Sequence, residues 1–187
     1  IPPANADVEI IPGDFLKWDD SGVEGKFHSA GNIPYNISSP IIKKLSRIKK
    51  HIKQIFLTTQ KEYFERMIEE KDKSYLTIFV QYHFEIKPLF QISNTCFFPV
   101  PNVNSYCFVL TPKESPEGFN DELFENMVSE GFAQKRKKLS KNIVNFINKN
   151  KDLVNFSDKE EVESMLDDKF GNKNIRAEEL SVERWMD

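Results

Sequence analysis

The stretch Gly31-Asn32-Ile33-Pro34-Tyr35-Asn36-Ile37-Ser38-Ser39-Pro40 decides the architecture. It stands between two runs of different period. Before it, Phe27 to Ile33 reads as a strand, and Pro34, which has no amide hydrogen for a ladder, ends that strand in a turn. After it, Pro40 suits the first turn of a helix, and Ile41, Ile42, Leu45 and Ile48 follow at helical spacing. Strand, tight turn and helix in direct succession are the repeating unit of a layered α/β sheet.

Working outward, Gln54 to Thr59 (QIFLTT) carries a strong β pattern, and Lys61 to Glu70 reads as a helix with Tyr63, Phe64, Met67 and Ile68 on one face. Residues 75–90 fit two readings. Tyr75, Leu76, Ile78, Phe79 and Tyr82 make a helix face, yet the β-branched and aromatic content also suits a strand. Tyr106 to Leu110 is a strand, and upstream Val8 to Ile11 reads as a short strand closing at Pro12-Gly13-Asp14. Beyond Pro112 and Pro116 the pattern is helical alone. Leu123, Met127, Val128 and Phe132 make one stripe, and Leu139, Ile143, Val144 and Ile147 another. Ser157 followed by Glu160 is a capping box for a third helix through Met165 and Leu166, and Ser181 opens a last short one. A domain boundary is therefore expected near residue 115, dividing an α/β part (1–114) from an all-α part (115–187).

Composition narrows the class. With 39% hydrophobic residues, 16 of the 187 residues being Phe, a core can form without disulfides or a structural metal. No apolar run approaches the ~20 residues of a membrane helix, and Ile1-Pro2-Pro3 opens no secretory signal. Cys96 and Cys107 lack metal-ligand spacing and read as reduced core thiols. His28, His51 and His83 are scattered. A net charge of −3 argues against a uniformly basic nucleic-acid binder, but the cations are clustered. Lys43, Lys44, Arg47, Lys49, Lys50 and Lys53 form one group; Lys135, Arg136, Lys137, Lys138 and Lys141 form another. Such groups are solvated faces as readily as RNA contacts.

Residues 31–40 resemble the Asn-Leu-Pro-Tyr-Asn-Ile-Ser form of the Asn/Asp/Ser-Pro-Pro-Tyr motif, typical of ribosomal RNA adenine N6-dimethyltransferases. Four further segments match that family in order. Ile10-Ile11-Pro12-Gly13-Asp14-Phe15-Leu16 resembles the segment whose Asp binds the cofactor adenine. Cys96 to Ser105 resembles its Phe-x-Pro-x-Pro-Lys-Val-Asp-Ser segment, with Asn102 in place of Lys and Asn104 in place of Asp. Phe132-Ala133-Gln134-Lys135-Arg136-Lys137 resembles its Phe-x-x-Arg-Arg-Lys helix start, and Arg176 to Ser181 its Arg-Ala-Glu-x-Leu-Ser run, where Arg176 is expected to tie down the last helix. The tetrapeptide alone is equally a strand-end turn with a buried Tyr; the five ordered segments together are far more specific.

The resemblance implies a two-domain enzyme: part of a Rossmann-like core that uses S-adenosylmethionine, followed by a small all-α rRNA-binding domain. Adenine N6 is a poor nucleophile because its lone pair is delocalised into the ring. The Asn32 side chain and a backbone carbonyl at Ile33 or Pro34 would accept its two hydrogens and aim the lone pair at the donor methyl, which is catalysis by positioning. Tyr35 and Phe97 would sandwich the extruded base, each stacking contact contributing roughly 1–3 kcal/mol. Asp14, Phe15 and Asn32 would face S-adenosylmethionine, no metal is required, and Lys135, Arg136, Lys137 and Lys138 would meet rRNA phosphates. The implied reaction dimethylates two adjacent adenosines near the 3′ end of small-subunit rRNA during ribosome biogenesis, by a cytoplasmic monomer acting on the immature small subunit. Two alternatives stand beside it: a large-subunit rRNA dimethyltransferase of the macrolide-resistance type, and a non-catalytic ribosome-assembly or mitochondrial transcription factor on the same fold. Neither the family's Gly-rich cofactor loop nor its ribose-binding acid is present. The N-terminal part of the cofactor site is thus expected to be missing, and the 187 residues alone are not expected to be active.

Overall fold

The structure, a computed structural model, describes residues 8–134, 137–150 and 159–187. Strand β1 (Phe27–Asn32) leads through the Pro34 turn into helix α1 (Ser38–Arg47), which crosses over to β2 (Ile52–Gln60). Helices α2 (Lys61–Met67) and α3 (Tyr75–His83) follow, then β3 (Phe84–Ile92) and β4 (Ser105–Pro112). The sheet order is β1-β2-β4-β3, with β1 and β2 parallel and β4 antiparallel to both its neighbours.

The register explains what this arrangement is for. Asn32 pairs with Thr58, Thr58 with Cys107, and Ser105 with both Gln60 and Ile92. The last residues of β1, β2 and β3 and the first of β4 therefore share one end of the sheet. Both the Pro34 turn and the β3–β4 loop leave from that end, so segments distant in sequence become neighbours.

The stripe expected on α1 is the buried one: Ile41, Ile42, Leu45 and Ile48 are at most 7% exposed. They pack on Ile52, Ile55 and Leu57 of β2 and on Phe64, Met67, Leu76, Phe79 and Val80. Full burial of each large aliphatic side chain contributes about 1.5–3 kcal/mol. Helix α3 is capped by Ser74, whose hydroxyl accepts from the Thr77 amide while Thr77 Oγ1 accepts from the Ser74 amide. It is apolar all round because it serves two cores. Leu76, Phe79 and Val80 belong to the sheet's core, while Ile78 and Tyr82 belong to a second one. That second core is completed by α4 (Asp121–Gly131), α5 (Leu139–Lys149), α6 (Lys159–Phe170) and α7 (Val182–Met186), through Phe124, Val128, Leu139, Ile143, Leu166 and Trp185 among others.

A polar network centred on the buried His83 and Glu125 joins the two layers. Arg47 of α1 donates twice to Glu125 of α4, at 2.8 and 2.6 Å. His83 at the end of α3 sits 2.9 Å from Glu125 Oε1 through Nε2, and Lys49 Nζ lies 3.3 Å from His83 Nδ1. These partners assign the imidazole proton to Nε2. Lys49 also donates to Ser115 Oγ (3.0 Å), Ser115 donates to Asp121, and the Tyr82 hydroxyl donates to Asp121 at 2.6 Å. Burial opposes ionisation of Glu125, but the bonds from His83 and Arg47 outweigh it and hold the carboxyl below its ordinary range. Tyr75, desolvated and facing the Glu125 charge, is pushed up to about 12.

Several expectations need correcting. Val8–Ile11 is irregular and exposed rather than a strand, since no described strand lies beside it to complete a ladder. Residues 75–90 hold both structures in succession, a helix and then a strand. Ile68 caps α2 and is 40% exposed instead of joining its apolar face. Cys96 is exposed in the β3–β4 loop, not a core thiol. Arg176 is tied locally, its amide to Glu179 and its guanidinium 3.8 Å from Glu178, and does not hold the last helix. The Ser157 cap lies outside the described residues.

Candidate active site

At the shared end of the sheet, Asn32, Ile33, Pro34, Tyr35, Phe97 and Phe98 line one open hollow of about 310 Å³, together with Pro99 and Pro101. That is near the lower end of ligand-sized pockets, which run ~300–1,000 Å³. The turn is built from its own chain. The Ile33 amide extends the parallel ladder by donating to Thr58 O at 3.2 Å. The Pro34 carbonyl accepts from the Ile37 amide and the Ser38 hydroxyl, and the Tyr35 carbonyl also receives Ser38. Those two carbonyls are engaged inside the turn. The Asn32 side chain and the Ile33 carbonyl are engaged by none of the described residues.

Tyr35 is held from across the sheet, its hydroxyl 2.8 Å from Ser105 Oγ at the start of β4. The loop carrying Phe97 is braced in turn. Asn104 Oδ1 accepts from the Asn94 amide at 3.0 Å, Asn94 Nδ2 donates to Pro101 O at 3.1 Å, and the Lys61 amide donates to Asn104 O. An Asn offers the same acceptor oxygen that an Asp would, so the departure at Asn104 leaves this brace intact. Phe98 is fully exposed beside Phe97. Ser105, Asn94 and Phe98 were not assigned roles from sequence. The Asn104-Ser105 ending was visible, but its partners depend on strand register.

Asp14 and Phe15 lie elsewhere. With Ile11, Trp18 and Phe27 they line a separate, mainly apolar hollow of about 500 Å³ that shares no lining residue with the first. Asp14 caps a short 3-10 turn through Oδ1, which accepts from the Leu16 amide at 3.0 Å, and leaves Oδ2 open. Phe15 and Trp18 stack at 6.2 Å and 15°. The chemistry of this set, flat rings beside an open carboxylate oxygen, fits an adenine and its amino group. Nothing comparable among the described residues fits a ribose or an amino-acid end. Of the four basic residues, Lys135 and Arg136 lie outside the described residues, while Lys137 and Lys138 are exposed immediately before α5.

Residues 2–175 match the family described as ribosomal RNA adenine dimethylase. The ribosomal RNA small subunit methyltransferase A of Francisella tularensis subsp. novicida is 38% identical over 150 residues, covering 76% of this chain and 57% of that protein. Its counterpart in subsp. tularensis strain SCHU S4 is 37% identical over the same length. The chain therefore spans a little over half the length of these relatives. Among solved structures, a dimethyladenosine transferase from Plasmodium falciparum superposes with a TM-score of 0.78 at 28% identity, over 95% of this chain and 70% of that one. The 23S rRNA methyltransferase ErmE superposes at 0.68 with 22% identity, over 95% and 69%, which speaks to fold alone. The fold is that of the Rossmann-like methyltransferases, here a mixed four-stranded sheet with helices. The chain belongs to the ribosomal RNA adenine dimethylase family.

Proposed function

We propose that the intact protein methylates N6 of adenosines in small-subunit rRNA, twice on each of two neighbouring nucleotides near the 3′ end, and that residues 1–114 serve chemistry while 115–187 dock RNA. The observation that carries this reading is the first hollow, whose lining brings Asn32, with its side chain unengaged by the described residues, and Ile33, with its carbonyl likewise unengaged, together with Tyr35 and Phe97. The name of the Francisella tularensis relatives, ribosomal RNA small subunit methyltransferase A, supports the choice of small-subunit rRNA.

An extruded adenine would stack between Tyr35 and Phe97. Its exocyclic amine would give one hydrogen to Asn32 Oδ1 and the other to the Ile33 carbonyl, which the turn leaves open while occupying those of Pro34 and Tyr35. The Ile33 carbonyl is fixed before the base arrives, because the Ile33 amide is tied to Thr58 O, so the ordering that remains is that of the Asn32 side chain. The Tyr35–Ser105 bond keeps one wall upright. S-adenosylmethionine supplies an electrophilic methyl when bound; Asp14 and Phe15 would hold its adenine, Asn32 would border its reacting end, and no metal enters. Lys137 and Lys138, with Lys135 and Arg136, would meet rRNA phosphates. The protein would act as a cytoplasmic monomer on the immature small subunit.

The test is Asn32→Ala in the intact protein, assayed on immature small subunits and on naked large-subunit rRNA. Methyl transfer to the former should fall at least roughly 100- to 1,000-fold, the scale of losing one preorganised polar contact, with S-adenosylmethionine binding retained by calorimetry. Full activity in the variant, or wild-type activity confined to large-subunit rRNA, refutes the assignment.

A further inference from the structure

At the opposite end of the sheet, the approaches to β1 and β2 and the exit of β4 enclose a hollow of about 530 Å³. Lys26, Lys49, Lys50, Lys53 and Lys113 line it, with Glu114 the one carboxylate among its described lining residues. The five ammonium groups are not equivalent. Lys49 is committed to Ser115, with Asp121 3.6 Å away, and Lys113 donates to the Gln81 carbonyl at 2.8 Å. Lys26, Lys50 and Lys53 are exposed, and none has an ion-pair partner among the described residues. The six-residue basic cluster read from sequence is thus sorted by the fold. Lys44 donates to the Trp18 carbonyl, Arg47 is bound by Glu125, and Lys50 and Lys53 converge instead with Lys26, which lies outside that cluster.

Three uncompensated cations in one concavity, on a chain whose net charge is −3, concentrate a positive potential that an anion would relieve. The hollow offers point charges on flexible stems, without an Arg fork to fix one small ligand's orientation. Its distance from the base pocket matters as well. Lys26 immediately precedes β1 and Asn32 ends it, a separation of roughly 20 Å at ~3.3 Å per residue. That exceeds the ~8 Å Debye length at physiological salt, so these lysines influence the Asn32 end only through a ligand long enough to reach both. We propose that this hollow is a second docking site for the RNA sugar-phosphate backbone, gripping the stem that flanks the reacting nucleotide. The proposal rests on RNA being the substrate.

The experiment compares the intact wild-type protein with a Lys26→Ala/Lys50→Ala/Lys53→Ala variant and the matching triple Arg variant. Binding to a small-subunit rRNA 3′ fragment with its stem is measured by fluorescence anisotropy across a salt series, and turnover on a short hairpin bearing only the target loop is measured in parallel. The Ala variant should flatten the log K against log salt slope by about 2–3, at roughly 0.7–0.9 per phosphate contact, and weaken binding about 10- to 100-fold at physiological salt. Hairpin turnover at saturation should not change, and the Arg variant should bind like wild type. An unchanged slope in the Ala variant, while the wild type binds and methylates RNA, overturns this proposal alone. So does an Arg variant as defective as the Ala one, which would make the loss structural, or millimolar inorganic phosphate occupying the hollow without affecting RNA binding. A wild-type protein that binds no RNA overturns both this proposal and the reading beneath it.

Discussion

Glu125→Ala is the most informative perturbation of the joint between sheet and helices. The substitution removes three charge-assisted bonds, two from Arg47 and one from His83 Nε2. Arg47 is 44% exposed and rehydrates, so its loss is worth about 0–1 kcal/mol. His83 is 1% exposed, and stranding its N–H costs about 1–3 kcal/mol. The lost methylene packing of a side chain 5% exposed adds about 1 kcal/mol. The sum, roughly 2–5 kcal/mol, is a large part of the ~5–15 kcal/mol typical of a domain. Glu125→Gln keeps an oxygen for His83 and keeps the packing, and should cost about 1 kcal/mol. Urea midpoints followed by circular dichroism measure both. The acid limb adds a check with a definite sign. Because the native carboxyl is held below its ordinary 4.5, the ionised form's contribution is complete above that pH and fades as pH falls through the native value. The gap between wild type and Glu125→Gln should therefore be constant near neutrality and close in acid. An Ala variant no less stable than the Gln variant, or a gap that widens in acid, refutes the account of this joint.

Tyr35→Phe should keep the stacking wall but lose the tie to Ser105, raising KM for RNA a few-fold with little change in kcat, since a neutral hydrogen bond is worth about 0.5–1.5 kcal/mol; steady-state kinetics decide it. Phe97→Ala should lower kcat/KM about 5- to 100-fold, in line with ~1–3 kcal/mol of stacking, and unchanged kinetics would remove Phe97 from the pocket wall. Gly131→Ala would set a Cβ 2.3 Å from the buried Trp185 ring and should destabilise by about 1–3 kcal/mol in urea titration.

The strand–turn–helix around Pro34 was legible because its two periods differ and proline marks the change. Helix α3 was legible only as one of two readings, for a reason the structure makes plain. Its apolar residues face two cores instead of one, and Phe84 begins β3 directly after His83 with no turn residue between to mark the change. On α4, Phe124 is buried while Leu123 and Met127 are only half-buried, so the expected stripe was slightly rotated. The Asn32–Tyr35 turn could be read because its atoms are contiguous. The meeting of Phe97 with that turn followed only from the family resemblance, since it depends on β4 lying between β2 and β3. The Arg47–Glu125–His83 contact left no local signal, as each residue sits on a different helix.

One rod, α3, is common property of both hydrophobic interiors. A molecule so built has no seam along which heat can part it. Calorimetry should find a single peak whose van't Hoff and measured enthalpies agree, and trimming the helices after Pro112 should loosen the sheet as well, because it bares Ile78 and Tyr82 on a helix the sheet cannot do without.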